Sequence, residues 1–212
     1  MKTINYDWPG WRLKDNPFGE DFDLEARKRM LAGSRLLMPF LNKYQRYLGR
    51  VGLEVGPFFD PILVPAKFPG KSLVYLDNDP YAIKFLRNGG NKQIRVIFAN
   101  VNLFNNKKIY QQSTFSKHKY DFAVMSQIFN YIDYQSFLTH LHKQLNKKAY
   151  IFVNNATNYG IPSLFSKLRP RNTTSTIQIV KKCGFKIIEK QIIKSLNNHQ
   201  HNQRLLLVAQ KK

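Results

Sequence analysis

The sequence predicts an α/β fold, a three-layer sandwich in which helices cover both faces of a mostly parallel, seven-stranded sheet with an antiparallel C-terminal hairpin. Two observations predict it. Short apolar runs alternate with amphipathic stretches of helical period, which is the pattern of parallel strands joined by crossover helices. The last two apolar runs are separated by a polar Asn/His segment instead of a helix, and this is typical of an antiparallel pair.

The composition is that of one globular unit. The chain has 212 residues, of which 43% are hydrophobic and 14% aromatic, enough for a single core. The one cysteine, Cys183, excludes a disulfide framework and a zinc site made of cysteines, and it favours a reducing, cytoplasmic location. No apolar run approaches the roughly 20 residues of a membrane span, so no membrane partner is expected.

The formal net charge is +21, and this excess leaves two interpretations open. It would attract phosphates or an acidic surface, but the chain is also rich in Lys, Asn and Ile, and its charge looks dispersed. A surface that binds nucleic acid must have its positive charges clustered in one place. The candidate clusters are Arg27, Lys28, Arg29 and Arg35 on the leading helix, and Lys167, Arg169 and Arg171 in the loop after the fifth strand.

The first part of the chain differs in character from the rest. Residues 1–19 form an aromatic, turn-rich arm, and residues 22–48 have a helical pattern that Pro39 divides. We expect residues 1–48 to be an N-terminal arm with helices that caps a pocket. Residues 49–212 then form the main domain.

The remaining elements follow in alternation. Strands are predicted at 51–55, 72–76, 94–98, 120–125, 149–153, 185–193 and 204–210. A helix of about one turn is predicted to start at Asp60-Pro61 and stop at Pro65, because Asp suits an N-cap and Pro the first helical position. Further helices are predicted at 80–87, 133–146 and 174–182. The segment 102–119 is polar and predicts turns.

The strongest functional signal lies at the ends of the first two strands. The first strand runs through Glu54 into Gly56, and the second ends in Asp77, 23 residues after Glu54. A glycine turn at the carboxyl end of a buried parallel strand typically presents a ligand site, and an acid at the tip of the next strand can accept from a ribose diol. These residues predict a nucleoside-type cofactor.

In the order of these segments, the chain resembles the class I S-adenosylmethionine-dependent methyltransferases, which have a Rossmann-like fold. Leu53-Glu-Val-Gly56 is similar to their first motif and Val74-Tyr-Leu-Asp-Asn-Asp-Pro80 to their second. Tyr120 to Ser126 resembles the fourth-strand segment, Leu145 to Val153 the turn into strand five, and Cys183-Gly-Phe185 with the final hairpin the last two strands. The resemblance covers about residues 40–212 and leaves the substrate subgroup open.

The resemblance implies a role for each residue at a motif position. Gly56 would let the backbone approach the methionine part of S-adenosylmethionine, and Asp77 would hold the ribose hydroxyls. Glu54 would act through water or by bonding the cofactor's amino group, and Asn100 would accept from the adenine amine. The expected cofactor-binding residues are Glu54, Gly56, Pro57, Phe58, Asp77, Asn78, Asn100, Val101, Ser126 and Gln127.

The sequence departs from the family pattern after the first strand. The turn has one glycine, where the family commonly has two or three, and Phe58 and Phe59 either pack on the cofactor or fill the core. No Asn/Asp-Pro-Pro-aromatic box follows strand four, which disfavours methylation of a base amine of that kind. Cys183 is not at the usual nucleophile position, and no Asp/Glu/His set marks a metal.

Catalysis would consist mainly of positioning the acceptor in line with the methyl group. The expected catalytic residues are Tyr131 after strand four and Asn154 after strand five, with Asn130 and Asn155 beside them. Tyr6, Trp8 and Tyr159 are candidates for a lid.

These observations predict an S-adenosylmethionine-dependent methyltransferase of unknown oligomeric state. A small-molecule acceptor is favoured over RNA, because no RNA-reading module is recognisable. The alternatives are an RNA-directed methyltransferase and a non-catalytic protein that binds the cofactor or RNA on the same fold. A nicotinamide-dependent oxidoreductase is disfavoured by the absence of Gly-x-Gly-x-x-Gly and by the closing hairpin.

Overall fold

A computed structural model describes residues 35–58, 60–88, 91–157, 172–194 and 203–212. The arm at 1–19, most of the basic cluster on the leading helix, the loop cluster at 167–171 and the lid candidates Tyr6, Trp8 and Tyr159 lie outside these residues. Within them, no helix is long and apolar enough to cross a membrane.

The strands form one seven-stranded sheet, in the order β3-β2-β1-β4-β5-β7-β6. Strands β1 to β5 pair in parallel, and β7 runs antiparallel to both β5 and β6. This confirms the predicted mostly parallel Rossmann-like sheet with its C-terminal hairpin. The strands are β1 Val51–Val55, β2 Ser72–Asp77, β3 Ile94–Phe98, β4 Tyr120–Ser126, β5 Leu145–Thr157, β6 Phe185–Lys194 and β7 Gln203–Lys211.

Five α-helices are present among the described residues: α1 Met38–Tyr44, α2 Pro80–Asn88, α3 Lys107–Gln112, α4 Tyr134–Gln144 and α5 Thr173–Lys182. Most of them begin after a residue whose side chain accepts a hydrogen bond from a backbone N–H of the first turn. Asp133 accepts from the N–H of Ser136 to cap α4, as predicted, and Asn172 accepts from the N–H of Ser175 to cap α5.

The helix predicted to start at Asp60-Pro61 is wrong, since the described part of 60–71 contains turns and no helix. A helix capped by Asp60 would have its first N–H groups at Ile62 and Leu63 bound by the cap. Those N–H groups instead donate to the Glu54 carboxylate at 2.8–3.0 Å. Pro65 also lacks the N–H that would donate to the carbonyl of Pro61 in such a helix.

The prediction of turns throughout 102–119 is also wrong. The segment contains 3-10 turns at Val101–Asn105 and Thr114–Lys117, and the helix α3 lies between them. Asn106 starts α3 by accepting from the N–H groups of Lys108 and Ile109. The rings of Phe104, Tyr110 and Phe115 are buried against one another, so tertiary packing holds a segment whose sequence is largely polar.

The sheet carries an apolar cluster on each face. One includes Leu53 and Val55 with the inner side of α4, and the other includes Tyr75 and Phe122. Helix α1 belongs to the second face through Leu37, Phe40 and Leu41. The ring of Tyr44 lies 5.4 Å from that of Tyr150, and Lys43 forms an ion pair of 2.8 Å with Glu189 on β6. The described part of the N-terminal region therefore packs on the sheet.

Candidate functional site

The candidate site lies at the carboxyl ends of β1, β2 and β4. The strand order reverses at β1, because the chain moves outward to β2 and β3 and then returns to β4 on its other side. At such a switch point the connections diverge and leave a crevice, where open α/β sheets bind ligands. The predicted residues that follow β1, β2, β3 and β4 are brought to this one edge.

Gly56 makes the turn that leaves β1. Its φ is +66°, and its N–H donates to the carbonyl of Leu76 at 2.8 Å. A Cβ at this position would lie 2.7 Å from Cδ1 of Ile128, which follows β4. The left-handed backbone therefore favours glycine, and the missing side chain leaves room for Ile128.

Asp77 ends β2 and is almost fully buried, with 7% of its surface exposed. Its Oδ1 accepts from the N–H groups of Asn78 and Asp79 at 2.8 and 3.0 Å, and its Oδ2 accepts from the N–H of Phe58 at 2.9 Å. A carboxylate has about four lone-pair positions. The three backbone donors therefore leave about one acceptor position, on Oδ2. Burial raises the pKa of Asp77, although these three donors oppose the shift.

Glu54 faces the same side of the sheet as Asp77 but binds the chain's own backbone. Both carboxylate oxygens accept from the N–H of Ile62, and Oε2 also accepts from that of Leu63. The residue is 3% exposed. The pKa of Glu54 is raised to about 7. Burial is the main cause, the nearby charge of Asp77 adds to it, and the two backbone donors oppose it.

The segment after Gly56 is held in an unusual conformation. Pro57 is buried, and Phe58 has a φ of +53°, which is uncommon for a bulky residue and costs roughly 1–2 kcal/mol. The bond from the Phe58 N–H to Asp77 holds it there. Phe59 lies outside the described residues, so the choice between cofactor contact and core filling stays open for it.

The residues after β3 and β2 give two exposed amides and one buried side chain. Asn100 is exposed, and its amide oxygen accepts from the N–H of Asn102 at 3.1 Å, which leaves one lone pair of that oxygen. Val101 is buried beside it, with 9% exposure. Asn78 is exposed next to Asp77.

A polar network joins the ends of β4, β5 and β7. The amide of Asn154 donates to the hydroxyl of Ser126 at 3.1 Å and accepts from the Arg204 guanidinium at 3.0 Å. Gln127 has a φ of +61° and accepts from the N–H of Ala156 at 3.0 Å. Asn154 is fully buried, so both ends of the amide of this expected catalytic residue are used within the protein.

The turn after β4 presents one large side chain to solvent. Tyr131 is 55% exposed, and its carbonyl accepts from the Asn102 side chain at 3.3 Å. The neighbouring Asn130 and Asn155 are buried. Asn155 accepts from the N–H of Phe129, and both amides donate to the carbonyl of Ala156. Of the four acceptor-side candidates, only Tyr131 offers a largely exposed side chain.

Three residues of this edge were not predicted from the sequence. Ile128 packs over Gly56, Arg204 binds Asn154, and Asn102 ties β3 to the turn after β4. Arg204 alone had a signal, since it is a cation at the start of the apolar run of β7. In the described parts of the chain, no group of three or more His, Cys, Asp or Glu could hold a metal ion.

Comparisons with known proteins give structural neighbours only. No protein-family model matches the sequence, and no curated protein matches it. The [4+2]-cyclase SpnF aligns with a TM-score of 0.64 at 13% identity, covering 84% of this chain and 81% of that one. The N-methyltransferase NodS from Bradyrhizobium japonicum WM9 aligns with a TM-score of 0.59 at 16% identity, covering 94% and 99%.

A third neighbour was solved with ligands. Geranyl diphosphate C-methyltransferase from Streptomyces coelicolor A3(2), in complex with Mg²⁺, geranyl diphosphate and S-adenosyl-L-homocysteine, has a TM-score of 0.61 at 12% identity, covering 84% of this chain and 81% of that one. At these identities the likeness concerns the fold. This chain has the Rossmann-like fold of the class I S-adenosylmethionine-dependent methyltransferases.

Proposed function

We propose that this protein is an S-adenosylmethionine-dependent methyltransferase acting on a small-molecule acceptor. The observation that carries the proposal is Asp77, a nearly buried carboxylate at the end of β2 that keeps about one acceptor position beside the glycine turn of β1. A ribose hydroxyl can donate to that position. A carboxylate at the switch point of this fold suits a nucleoside-type cofactor.

The remaining cofactor contacts are proposed around this anchor. Gly56, Pro57 and Phe58 would border the methionine part, with Asn78 beside the ribose. Asn100 would accept from the adenine amine with its remaining lone pair, and buried Val101 would pack on the base. Ser126 and Gln127, at the end of β4, would lie under the cofactor. When bound, the cofactor supplies an activated methyl group on its sulfonium.

We propose an indirect role for Glu54. Its oxygens accept three backbone contacts from Ile62 and Leu63, so the carboxylate fixes the loop that follows the glycine turn. That loop leads from Phe58, whose N–H binds Asp77. Glu54 therefore holds the path of the chain around the cofactor site, and a direct bond to the cofactor's amino group would require it to give up these contacts.

On the acceptor side, the protein would bind and orient the substrate with groups at the ends of β4 and β5. Tyr131 has the exposed side chain that can touch an acceptor, and its hydroxyl can donate or accept a hydrogen bond. Asn154 would act by holding Ser126 and Arg204 in place. A small acceptor is supported by neighbours such as the geranyl diphosphate enzyme, and the single cysteine supports a cytoplasmic setting.

A second candidate is a protein that binds the cofactor without transferring its methyl group. One neighbour is a [4+2]-cyclase on this fold, and fold alone does not fix the chemistry. Asn154 favours this candidate, because both ends of the amide of this expected catalytic residue are bound within the protein and do not reach an acceptor.

Thermal denaturation with S-adenosylmethionine, S-adenosylhomocysteine or NAD tests the cofactor assignment, since a ligand of the folded state raises the midpoint. We expect both sulfur nucleosides to raise it and NAD to leave it unchanged. Incubation with labelled S-adenosylmethionine and a panel of small amines, alcohols and acids then separates the two candidates. Binding without transfer to any acceptor supports the second candidate, and stabilisation by NAD alone removes both.

A further inference from the structure

A patch of cations lies at the amino edge of the sheet, opposite the candidate site. We call it the amino-edge patch. Arg50 precedes β1, Lys71 precedes β2 and Lys119 precedes β4, while α4 returns to the same edge at its end. Its members are Arg50, Lys71, Lys119, Lys143, Lys147, Lys148 and Lys211. Asp121 also lies at this edge, and its carboxylate accepts from the N–H of Val51 and the Asn146 amide at 2.9 and 2.7 Å.

Three members of the patch, Lys119, Lys143 and Lys211, meet at the end of α4. The Lys119 ammonium donates to the carbonyl of Lys143 at 2.6 Å, and the Lys211 ammonium donates to the carbonyls of His142 and Leu145, both at 2.7 Å. Both cations therefore lie on the last carbonyls of α4, the negative end of its dipole. Partial burial lowers the pKa of Lys211, and the charge of Lys119 lowers it further, because the two ammonium groups are close.

A bulge in β5 carries two exposed members of the patch. Tyr120 pairs with Leu145 and Phe122 with Tyr150, so residues 146–149 loop out opposite the single residue Asp121. Lys147 and Lys148 are both exposed at this bulge. Lys148 has a φ of +62°, a left-handed backbone that is uncommon for lysine. The Gln210 amide holds its carbonyl at 3.0 Å, so the bulge is fixed and presents two adjacent cations.

We propose that the amino-edge patch binds nucleic acid through its phosphodiester backbone. Backbone binding needs clustered cations and no base-reading groups. A bilayer surface would also favour apolar side chains that insert. The exposed large hydrophobic residues of the described chain are not members of the patch; they are Tyr47, Phe98, Leu103, Ile109, Tyr131, Ile188 and Ile192.

This binding would be separate from the proposed cofactor site. The five residues of β1 separate the two edges, a distance of roughly 16 Å at about 3.3 Å per residue. A nucleic acid on the patch would locate the protein without filling the crevice, which stays open to a small acceptor. The inference therefore does not depend on the proposed function.

The test uses the full chain and a labelled single-stranded RNA of mixed sequence, titrated between about 50 and 200 mM salt. The variant replaces Lys147→Gln and Lys148→Gln. The control replaces Lys107→Gln and Lys108→Gln, two exposed lysines on the segment that bonds to the first turn of α4, at the carboxyl edge. Both pairs remove the same charge. Lys119 and Lys211 are left intact because they stabilise the end of α4.

We expect the Lys147/Lys148 variant to bind about tenfold more weakly, with a salt slope lower by about 1.4, since each lost phosphate contact removes about 0.7 for single strands. The control should match the unsubstituted protein, and S-adenosylhomocysteine affinity should be equal in all three. If the double variant does not fold, Lys147→Gln alone should lower the slope by about 0.7. Equal losses in both pairs, no loss in the variant, or tighter retention on phosphatidylglycerol vesicles than on RNA overturns the proposal.

Discussion

The backbone N–H of Phe58 lies 2.9 Å from Oδ2 of Asp77. This bond ties the turn after β1 to the end of β2, and it uses the third of about four lone-pair positions of the carboxylate. Asp77 thus shapes the proposed cofactor site from both sides. It fixes the backbone of the turn after β1, and under the proposed function its last acceptor position would take a hydroxyl of the cofactor.

Replacement of Asp77→Asn should weaken S-adenosylhomocysteine binding by roughly 1.5–3 kcal/mol, the value of a hydrogen bond to a charged group. The amide keeps the shape and one acceptor oxygen but removes the charge. Isothermal titration calorimetry measures the affinity. Asp79→Asn is the matched control, because Asp79 caps α2 by accepting from Ala82 and asparagine caps equally well. Equal losses in both variants would remove Asp77 from the site.

Replacement of Gly56→Ala should lower stability by more than Gly70→Ala does. Both glycines have a left-handed backbone, with φ of +66° and +71°, and the strain of an alanine there is roughly 1–2 kcal/mol. A Cβ at Gly70 meets nothing within 4 Å, whereas one at Gly56 lies 2.7 Å from Cδ1 of Ile128. Urea unfolding measures the loss of stability in each variant. The additional loss at Gly56 is the cost of the contact with Ile128.

The same contact can be relieved by Ile128→Val, which removes the Cδ1 atom. In that background, Gly56→Ala should cost about as much as Gly70→Ala. If Gly56→Ala still costs more stability than Gly70→Ala, the turn itself, and not the contact with Ile128, disfavours the alanine side chain. Binding of S-adenosylhomocysteine should fall with Gly56→Ala and stay unchanged with Gly70→Ala, which separates a ligand role from general destabilisation.

The sequence predicted the sheet because its signals are local. Each buried strand is a short apolar run, and the ends of β1 and β2 at Gly56 and Asp77 are visible where those runs stop. Their meeting at one edge then follows from parallel pairing. The C-terminal hairpin was likewise visible, because no helical period separates its two strands.

The partners of the site residues could not be predicted, since they depend on the path of loops. Glu54 binds N–H groups eight and nine positions further on, and only the course of the loop brings them back. Asn154 meets Arg204 from a strand 50 positions away. The predicted helix at Asp60-Pro61 is wrong for the same reason. The N–H groups that Asp60 would have capped are bound by the Glu54 carboxylate, and the local sequence does not indicate this.

The stability of the wild type relative to Glu54→Gln should fall as the pH rises. The pKa of Glu54 is raised from 4.5 to about 7. The stabilisation linked to this shift is fully present below about pH 4.5 and is lost as the pH rises through 7, because the buried carboxylate must then ionise. Glutamine does not titrate. At 1.36 kcal/mol per pH unit, the change is up to about 3 kcal/mol.

Urea unfolding of both proteins from about pH 5 to about pH 8 measures this difference. A glutamine oxygen at the position of Oε2 can accept from both Ile62 and Leu63, and its NH₂ then faces the Ile62 N–H, so the variant loses one of the three contacts at every pH. That loss is constant and does not affect the slope. A stability difference that does not change with pH would show that Glu54 is ionised throughout.

His140 should make the fold sensitive to acid in the opposite direction. Its ring lies 4.1 Å from that of Tyr110, and its Nδ1 is buried with no hydrogen-bond partner among the described residues. Burial lowers the pKa of His140 below 6.5 and the charge of Lys143 adds to this, while a hydrogen bond with the backbone of Phe104 opposes the shift. The stabilisation is therefore present above about pH 6.5 and is lost as the pH falls towards the folded pKa, because the unfolded chain binds the proton first.

Replacement of His140→Phe keeps an aromatic ring against Tyr110 and removes the titration. The wild type should lose stability relative to this variant as the pH falls from about 7.5 to about 5.5, with no change in the difference above pH 7. Burial also lowers the pKa of His142, so the variant should keep part of its acid sensitivity, and His140→Phe combined with His142→Phe should have less. Thermal denaturation across this range measures the effect. A difference that is constant with pH would mean that His140 has the same pKa in the folded and the unfolded chain, as it would if its ring reached water when it binds a proton.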